Sequence, residues 1–227
     1  MKHTILFLAA NPLGTDRLAL DREVHAIHLE LKRTGYRDRF DLVTRLAAEP
    51  LDLLRELREL KPTVVHFRGH GTAGTATTPT PGQSGGTAGS GLFFQGPDGQ
   101  PQLVSGEALA QAFGAAGSSV QLLVLSACHS ELHAQALLPH VGCVVGTSGA
   151  MTDDVARSFA IGFYGGLGER ESVAAAYQQG CAAISLQGLP DRDRPKLVVR
   201  TGIDAGKLVL AADPEVSPSA GAVAVPQ

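Results

Sequence analysis

Short aliphatic runs alternate with longer amphipathic stretches along most of this 227-residue chain, and no other feature constrains its fold as strongly. Residues 4–10 form a continuous apolar run closed by Asn11-Pro12-Leu13-Gly14. Residues 40–46, 63–67, 120–126 and 143–146 are further runs of strand length, the run 120–126 being the most apolar. Between them, residues 18–31 place Leu18, Val24, Ile27 and Leu31 at helical spacing. Residues 51–60 repeat leucine every three positions before Pro62. Helices are also predicted over 106–115, 132–138, 153–167 and 172–186, and a small hairpin over 92–94 and 102–104. Residues 196–200 and 207–210 read as a last hairpin or edge strand. Strands that are apolar on both sides and separated by helices require a mainly parallel sheet with helices on both faces, an α/β three-layer sandwich.

The alternation breaks twice. Residues 72–91 carry no charge and nothing larger than Thr or Gln, so the stretch cannot bury enough apolar surface to offset its ordering entropy and reads as a flexible insertion. Residues 212–227, rich in Pro, Ala, Ser and Val, read as a disordered tail, which leaves one domain over 1–211. Net charge is −3 and no basic cluster is present, which argues against nucleic acid or an anionic membrane as partner. No apolar run approaches the roughly 20 residues that span a bilayer, and residues 4–10 are too short for a signal sequence. Three widely spaced cysteines (Cys128, Cys143, Cys181) fit a reduced, cytoplasmic setting rather than a disulfide framework.

Three look-alike motifs fail on context. Gly69-His70-Gly71-Thr72-Ala73-Gly74 satisfies the dinucleotide pattern, but coil follows it where a helix must open. Gly82-Gln83-Ser84-Gly85-Gly86 matches a nucleophile elbow without the strand and helix that make one. Cys128, His129, His133, His140 and Cys143 lack the paired spacing of a zinc site. The chain therefore calls for no metal and no cofactor.

A sharper constellation joins two strand ends, where parallel sheets gather their chemistry. One run ends in Val64-Val65-His66-Phe67-Arg68-Gly69-His70-Gly71, the other in Leu122-Leu123-Val124-Leu125-Ser126-Ala127-Cys128. If these strands are neighbours, His70 and Cys128 converge. A thiol at a strand-to-helix turn beside an imidazole suits a nucleophile, with the Gly71 and Cys128 N–H groups able to bind an oxyanion. On one cysteine and one histidine alone, a buried free thiol near a satisfied imidazole is the favoured reading.

Sequence resemblance reverses that preference. A hydrophobic block ending in His-Gly and a second ending in Ala-Cys resemble the caspase-like clan of cysteine peptidases. Longer matches, including Ile5 to Pro12, Leu18 to Val24, Pro62 to Gly71, Leu125 to Ser130 and Phe159 to Tyr164, narrow the resemblance to its bacterial CHAT-type branch over about residues 4–186. The resemblance implies a Cys/His dyad endopeptidase with Cys128 as nucleophile and His70 as general acid/base. His66, on the same strand face as Arg68 and His70, reads as a buried or supporting residue. Arg68 stands where relatives usually carry Ser, and His129 where they often carry Tyr; neither change touches the dyad, and both read as changes at the cleft rim. By analogy with separase, Asp153, or failing that Asp154, would line S1 and select Arg or Lys at P1. The alternative stays open that Thr152 caps a helix whose first turn holds both acids. The insertion 72–91 contains no charged residue, so an unprocessed single chain is expected. The branch further implies a role as effector in bacterial defence or cell death, a sensor or regulatory partner, and protein substrates such as gasdermin-like proteins. A catalytically idle caspase-like scaffold is the alternative, against which the intact His70 and Cys128 argue.

Overall fold

The structure is a computed structural model and describes residues 2–74 and 89–211. The first apolar run is β1 (His3–Ala9), followed by α1 (Leu20–Arg33), β2 (Phe40–Arg45), α2 (Pro50–Leu60) and β3 (Val64–Arg68). After β3 the chain makes three short strands, β4 (His70–Thr72), β5 (Gly91–Gln95) and β6 (Pro101–Ser105), which pair antiparallel in a small separate sheet. Then come α3 (Gly106–Ala116), β7 (Leu122–Ser126), α4 (Ala134–Leu137), β8 (Cys143–Thr147), α5 (Asp153–Gly168), α6 (Val173–Leu186) and β9 (Pro195–Val199). The main sheet has the order β2-β1-β3-β7-β8-β9, parallel throughout except that β9 runs antiparallel to β8.

Why the strand runs are continuously apolar is visible in β1. Ile5, Phe7 and Ala9 enter the core under α1, α5 and α6, while Leu6, Leu8 and Ala10 enter the core on the other face. A strand with helices above and below has no face left for polar residues. Local signals then fix the helix ends. Glu49 and Asp52 form a reciprocal capping box ahead of α2, and Ser105, Thr152 and Ser172 cap α3, α5 and α6 through their side-chain oxygens.

Two expectations change. Thr72 pairs with Gly91 across β4 and β5, so both ends of the expected insertion belong to the small sheet. Residues 75–88 of that insertion, and the tail 212–227, lie outside the described residues. Residues 196–200 supply the edge strand β9, but residues 207–210 are not a strand. Their segment turns back onto α6 instead, where the carbonyls of Leu208 and Ala205 accept from the N–H groups of Val173 and Ala174. The free N–H groups of a helix start compete successfully for that segment. Among the described residues, no helix is long and apolar enough to cross a membrane.

Helices α5 and α6 approach so closely that a Cβ on Gly162 would stand 2.4 Å from the Gln179 carbonyl oxygen. Gly162→Val should therefore force the pair apart and cost about 1–3 kcal/mol, as overpacked cores do. Urea denaturation checks this; an unchanged midpoint would contradict the tight helix contact.

Candidate active site

Parallel pairing of β3 with β7 brings the two informative strand ends together, with Arg68 registered against Ser126. Beyond that pair the chains stay side by side: the Gly69 N–H donates to the Ser126 carbonyl at 3.4 Å. Two residues on, Gly71 lies against the Cys128 backbone, where an added Cβ would stand 2.2 Å from the Cys128 carbonyl oxygen. His70 and Cys128, each two residues past a registered pair, are thus held at one end of adjacent strands. Both are partly exposed. Glycine at 71 is required for this approach of main chain to main chain, a reason beyond the substrate access expected from sequence.

His70 has a defined orientation. Its Nε2 lies 2.7 Å from the carbonyl oxygen of Asp16. A carbonyl can only accept, so Nε2 carries the proton and Nδ1 is left as the acceptor of the ring. Asp16 belongs to the loop 11–19 between β1 and α1. That loop is closed by a reciprocal pair in which Asn11 Oδ1 accepts from Leu18 N–H and Asn11 Nδ2 donates to Leu18 O. Its tip is pinned where Leu13 N–H donates to the Gly99 carbonyl at 2.9 Å. An open groove of about 660 Å³ flanks the loop, lined by Arg17, Leu18, Asp21, Arg22 and Leu46 among others, with neither His70 nor Cys128 in its wall.

The turn that follows Cys128 is tightly fixed. His129 adopts φ 56°, in the left-handed region, and its N–H donates to the Gly149 carbonyl. Such a conformation in a non-glycine residue costs on the order of 1 kcal/mol and persists only where neighbours over-determine it. Here Ser130, fully buried, does so: its hydroxyl donates to Leu125 O at 2.7 Å and accepts from Thr147 N–H at 2.9 Å. The expected helix after Cys128 begins instead as a 3-10 turn over Ser130–His133 and continues as the single turn α4. Cys143 is buried in β8, where desolvation pushes its thiol up to about 11, and Cys181 is half-buried on α6. Both pack in or against the core. Among the described residues, no three His, Cys, Asp or Glu side chains gather in a way that could hold a metal.

At the ends of β3 and β7 that lead to His70 and Cys128 is a buried polar cluster. Strand alternation turns His66 and Arg68 toward the α1 and α5 layer. Arg68 is 2 % exposed, and its guanidinium meets Glu23 of α1 (Nε to Oε2, 2.8 Å), the Ser126 carbonyl (Nη1, 3.0 Å) and Asp153 of α5 through Nη2. His66 Nδ1 is 2.9 Å from the Tyr164 hydroxyl, while its Nε2 faces Glu23 Oε1 at 3.2 Å without hydrogen-bond alignment. Burial alone would raise the Glu23 carboxyl, but the Arg68 charge, helped by His66, outweighs it and holds the group below its ordinary value. Sequence reading placed His66 and Arg68 correctly on one strand face but missed Glu23 and Tyr164. A signal for Glu23 exists: it lies three residues after Leu20 and four before Ile27, on the apolar stripe of α1.

The two candidate specificity acids have partners. Asp153 accepts from Arg68 at Oδ1 and from the Ala19 N–H at Oδ2 (2.9 Å), and so lies at the positive ends of both α5 and α1. A P1 cation would have to displace Arg68 to reach it. Asp154 is 64 % exposed and pairs with Arg157 one turn on, at 2.9 Å. Thr152 caps α5, the arrangement weighed above as the alternative role for this segment.

Removing Glu23 leaves a buried guanidinium short of its main counter-ion. Glu23→Ala should cost about 3–5 kcal/mol in urea denaturation at neutral pH. Because the folded carboxyl is depressed, its contribution is complete above the ordinary value near 4.5 and is lost as pH falls through the folded value. The difference between wild type and variant should therefore shrink in acid; a gap independent of pH would contradict the ion pair.

Comparison with known proteins follows this geometry. The CHAT domain profile matches residues 19–195. A curated relative from an unidentified prokaryote, a Roc-COR-CHAT protease, is 23% identical over 193 residues, covering 82% of this chain and 17% of its own length. The chain thus spans about a sixth of that relative. Among solved structures, a secreted C11 cysteine protease from Bacteroides thetaiotaomicron, in complex with an irreversible peptide inhibitor, superposes with a TM-score of 0.59 at 10% identity, covering 88% of this chain and 66% of that one. With its parallel sheet between helices and its paired strand ends, the chain has a caspase-like α/β fold and belongs to the CHAT domain family.

Proposed function

We propose that this chain is a cysteine endopeptidase in which Cys128 is the nucleophile and His70 the general acid/base. The observation that carries this reading is the register of β3 with β7, which sets Gly71 against the Cys128 backbone, together with the His70 tautomer. With Nε2 donating to Asp16, Nδ1 accepts the thiol proton. The thiolate attacks the scissile carbonyl, and the resulting oxyanion is bound by the Gly71 and Cys128 N–H groups. The imidazolium then protonates the leaving amine as the C–N bond breaks, leaving a thioester. Water, deprotonated by His70, hydrolyses the thioester and frees Cys128. No metal or cofactor is required for these steps.

On specificity, the reading is a P1 Arg or Lys. Asp154 is the acid available to it, since the charge of Asp153 is already met by Arg68. On biological role, the relative's name supports a peptidase module within a longer protein. The reading is a cytoplasmic effector of bacterial defence or cell death, controlled by a sensor partner and acting on a protein such as a gasdermin-like substrate.

A peptide library tests the chemistry and the specificity together. Wild type should cleave after Arg or Lys, and Cys128→Ala or His70→Ala should lower kcat/KM by at least about 10³-fold. Asp154→Asn should lower the preference for basic P1 by about 5- to 30-fold. Cleavage unaffected by Cys128→Ala would overturn the peptidase reading, and a wild type that binds but never cleaves would favour the scaffold alternative. Gly71→Ala should abolish cleavage as well, since its Cβ has no room beside Cys128.

A further inference from the structure

We propose that Asp153 is a positioning residue for His70: held by Arg68, its carboxylate fixes Ala19 and thereby the loop 11–19 whose Asp16 carbonyl orients the imidazole. The inference rests on the reading of His70 as the general acid/base of the dyad. Among the described residues, the polar partner that orients the ring is a main-chain carbonyl on a loop, at 2.7 Å from Nε2. A carbonyl on a loop orients a side chain only as well as the loop itself is held.

Three ties hold this loop. Asn11 and Leu18 close its ends on each other, and Leu13 pins its tip to Gly99 in the turn between β5 and β6. Neither tie reaches the main sheet on the side of α1. Asp153 supplies that third anchor, three residues from Asp16, by accepting the Ala19 N–H across 134 residues of sequence. Ala19 begins α1 without a side chain able to cap it, and the carboxylate accepts the N–H of Ala19 itself, as the acid of a capping box would.

The anchor is itself fixed. Arg68 ends β3 two residues before His70 and is locked by Glu23 and the Ser126 carbonyl as well as by Asp153. Ser126 in turn stands two residues before Cys128. One guanidinium therefore references the strand that leads to the histidine, the strand that leads to the cysteine and the loop that orients the histidine to a single point. A displacement of about 1 Å in such a relay can cost on the order of 10²-fold in rate.

A role in positioning and a role as S1 acid make opposite predictions for the same substitution. The probes are two peptidyl acyloxymethyl ketones differing only at P1, Arg in one and Leu in the other, with the adduct located by mass spectrometry. Asp153→Ala should slow the maximal inactivation rate about 10- to 100-fold for both probes, with KI and the ratio between probes unchanged. Asp153→Asn keeps one acceptor oxygen and should fall between wild type and Asp153→Ala. Hydrogen exchange should rise over residues 11–19 in both variants while β7 keeps its protection. If Asp153→Ala does not fold, the Asn variant carries the same comparison. Unchanged inactivation, or a loss confined to the P1 Arg probe, would overturn the positioning role. Failure of wild type to label at Cys128 would instead overturn the dyad, and this inference with it.

Discussion

A buried guanidinium must find its counter-charges inside the protein, and Arg68 organises the structure around that requirement. Its neighbours come from α1, β7 and α5, elements far apart in the chain. Each contact is also a geometric constraint on a group at the surface above. Glu23 fixes α1 against the sheet, Ser126 ties the cysteine strand to the histidine strand, and Asp153 fastens the start of α1. A smaller neutral residue at position 68 would demand none of this. The cost of desolvating Arg68 is offset only when every partner is in place, which makes the arrangement all-or-none.

The candidate site residues lie just beyond the ends of the main-sheet strands, and none is loosely held. His129 is kept in a left-handed conformation by the buried Ser130 hydroxyl, and Gly71 is pressed against the neighbouring turn. His70 is directed by a loop that is closed on itself and anchored at both the small sheet and α5. A rigid parallel sheet with reactive groups just beyond its strand ends is a general solution in α/β proteins, because loops can vary there without disturbing the core.

Much of this was legible in the sequence because its signals are local. Continuous apolar runs mark strands buried on both faces, and Thr152 followed by two acids marks a helix start. The juxtaposition of His70 with Cys128 followed from the rule that chemistry gathers at strand ends, once the strands were taken as neighbours. What the sequence did not reveal is long-range and polar. Arg68 looked like a change at the cleft rim, yet it is buried, because its partners Glu23 and Asp153 stand 45 residues before it and 85 after it, where no periodicity connects them. Asp153 invited a reading as a specificity acid because its charge was visible and the guanidinium that meets it was not. The segment 207–210 has strand-like residues but caps α6, since hydrogen-bond demand at a helix start outweighs weak β propensity.

The proposed catalytic dyad joins two strand ends, His70 beyond β3 and Cys128 beyond β7. A crystal structure of the protein after inactivation by a peptidyl chloromethyl ketone tests it most directly. The account requires a covalent bond to the Cys128 sulfur, with the inhibitor's carbonyl oxygen facing the N–H groups of Gly71 and Cys128, and His70 still bonded to Asp16. An adduct on Cys143 or Cys181, or a bound peptide lying away from His70, would contradict it.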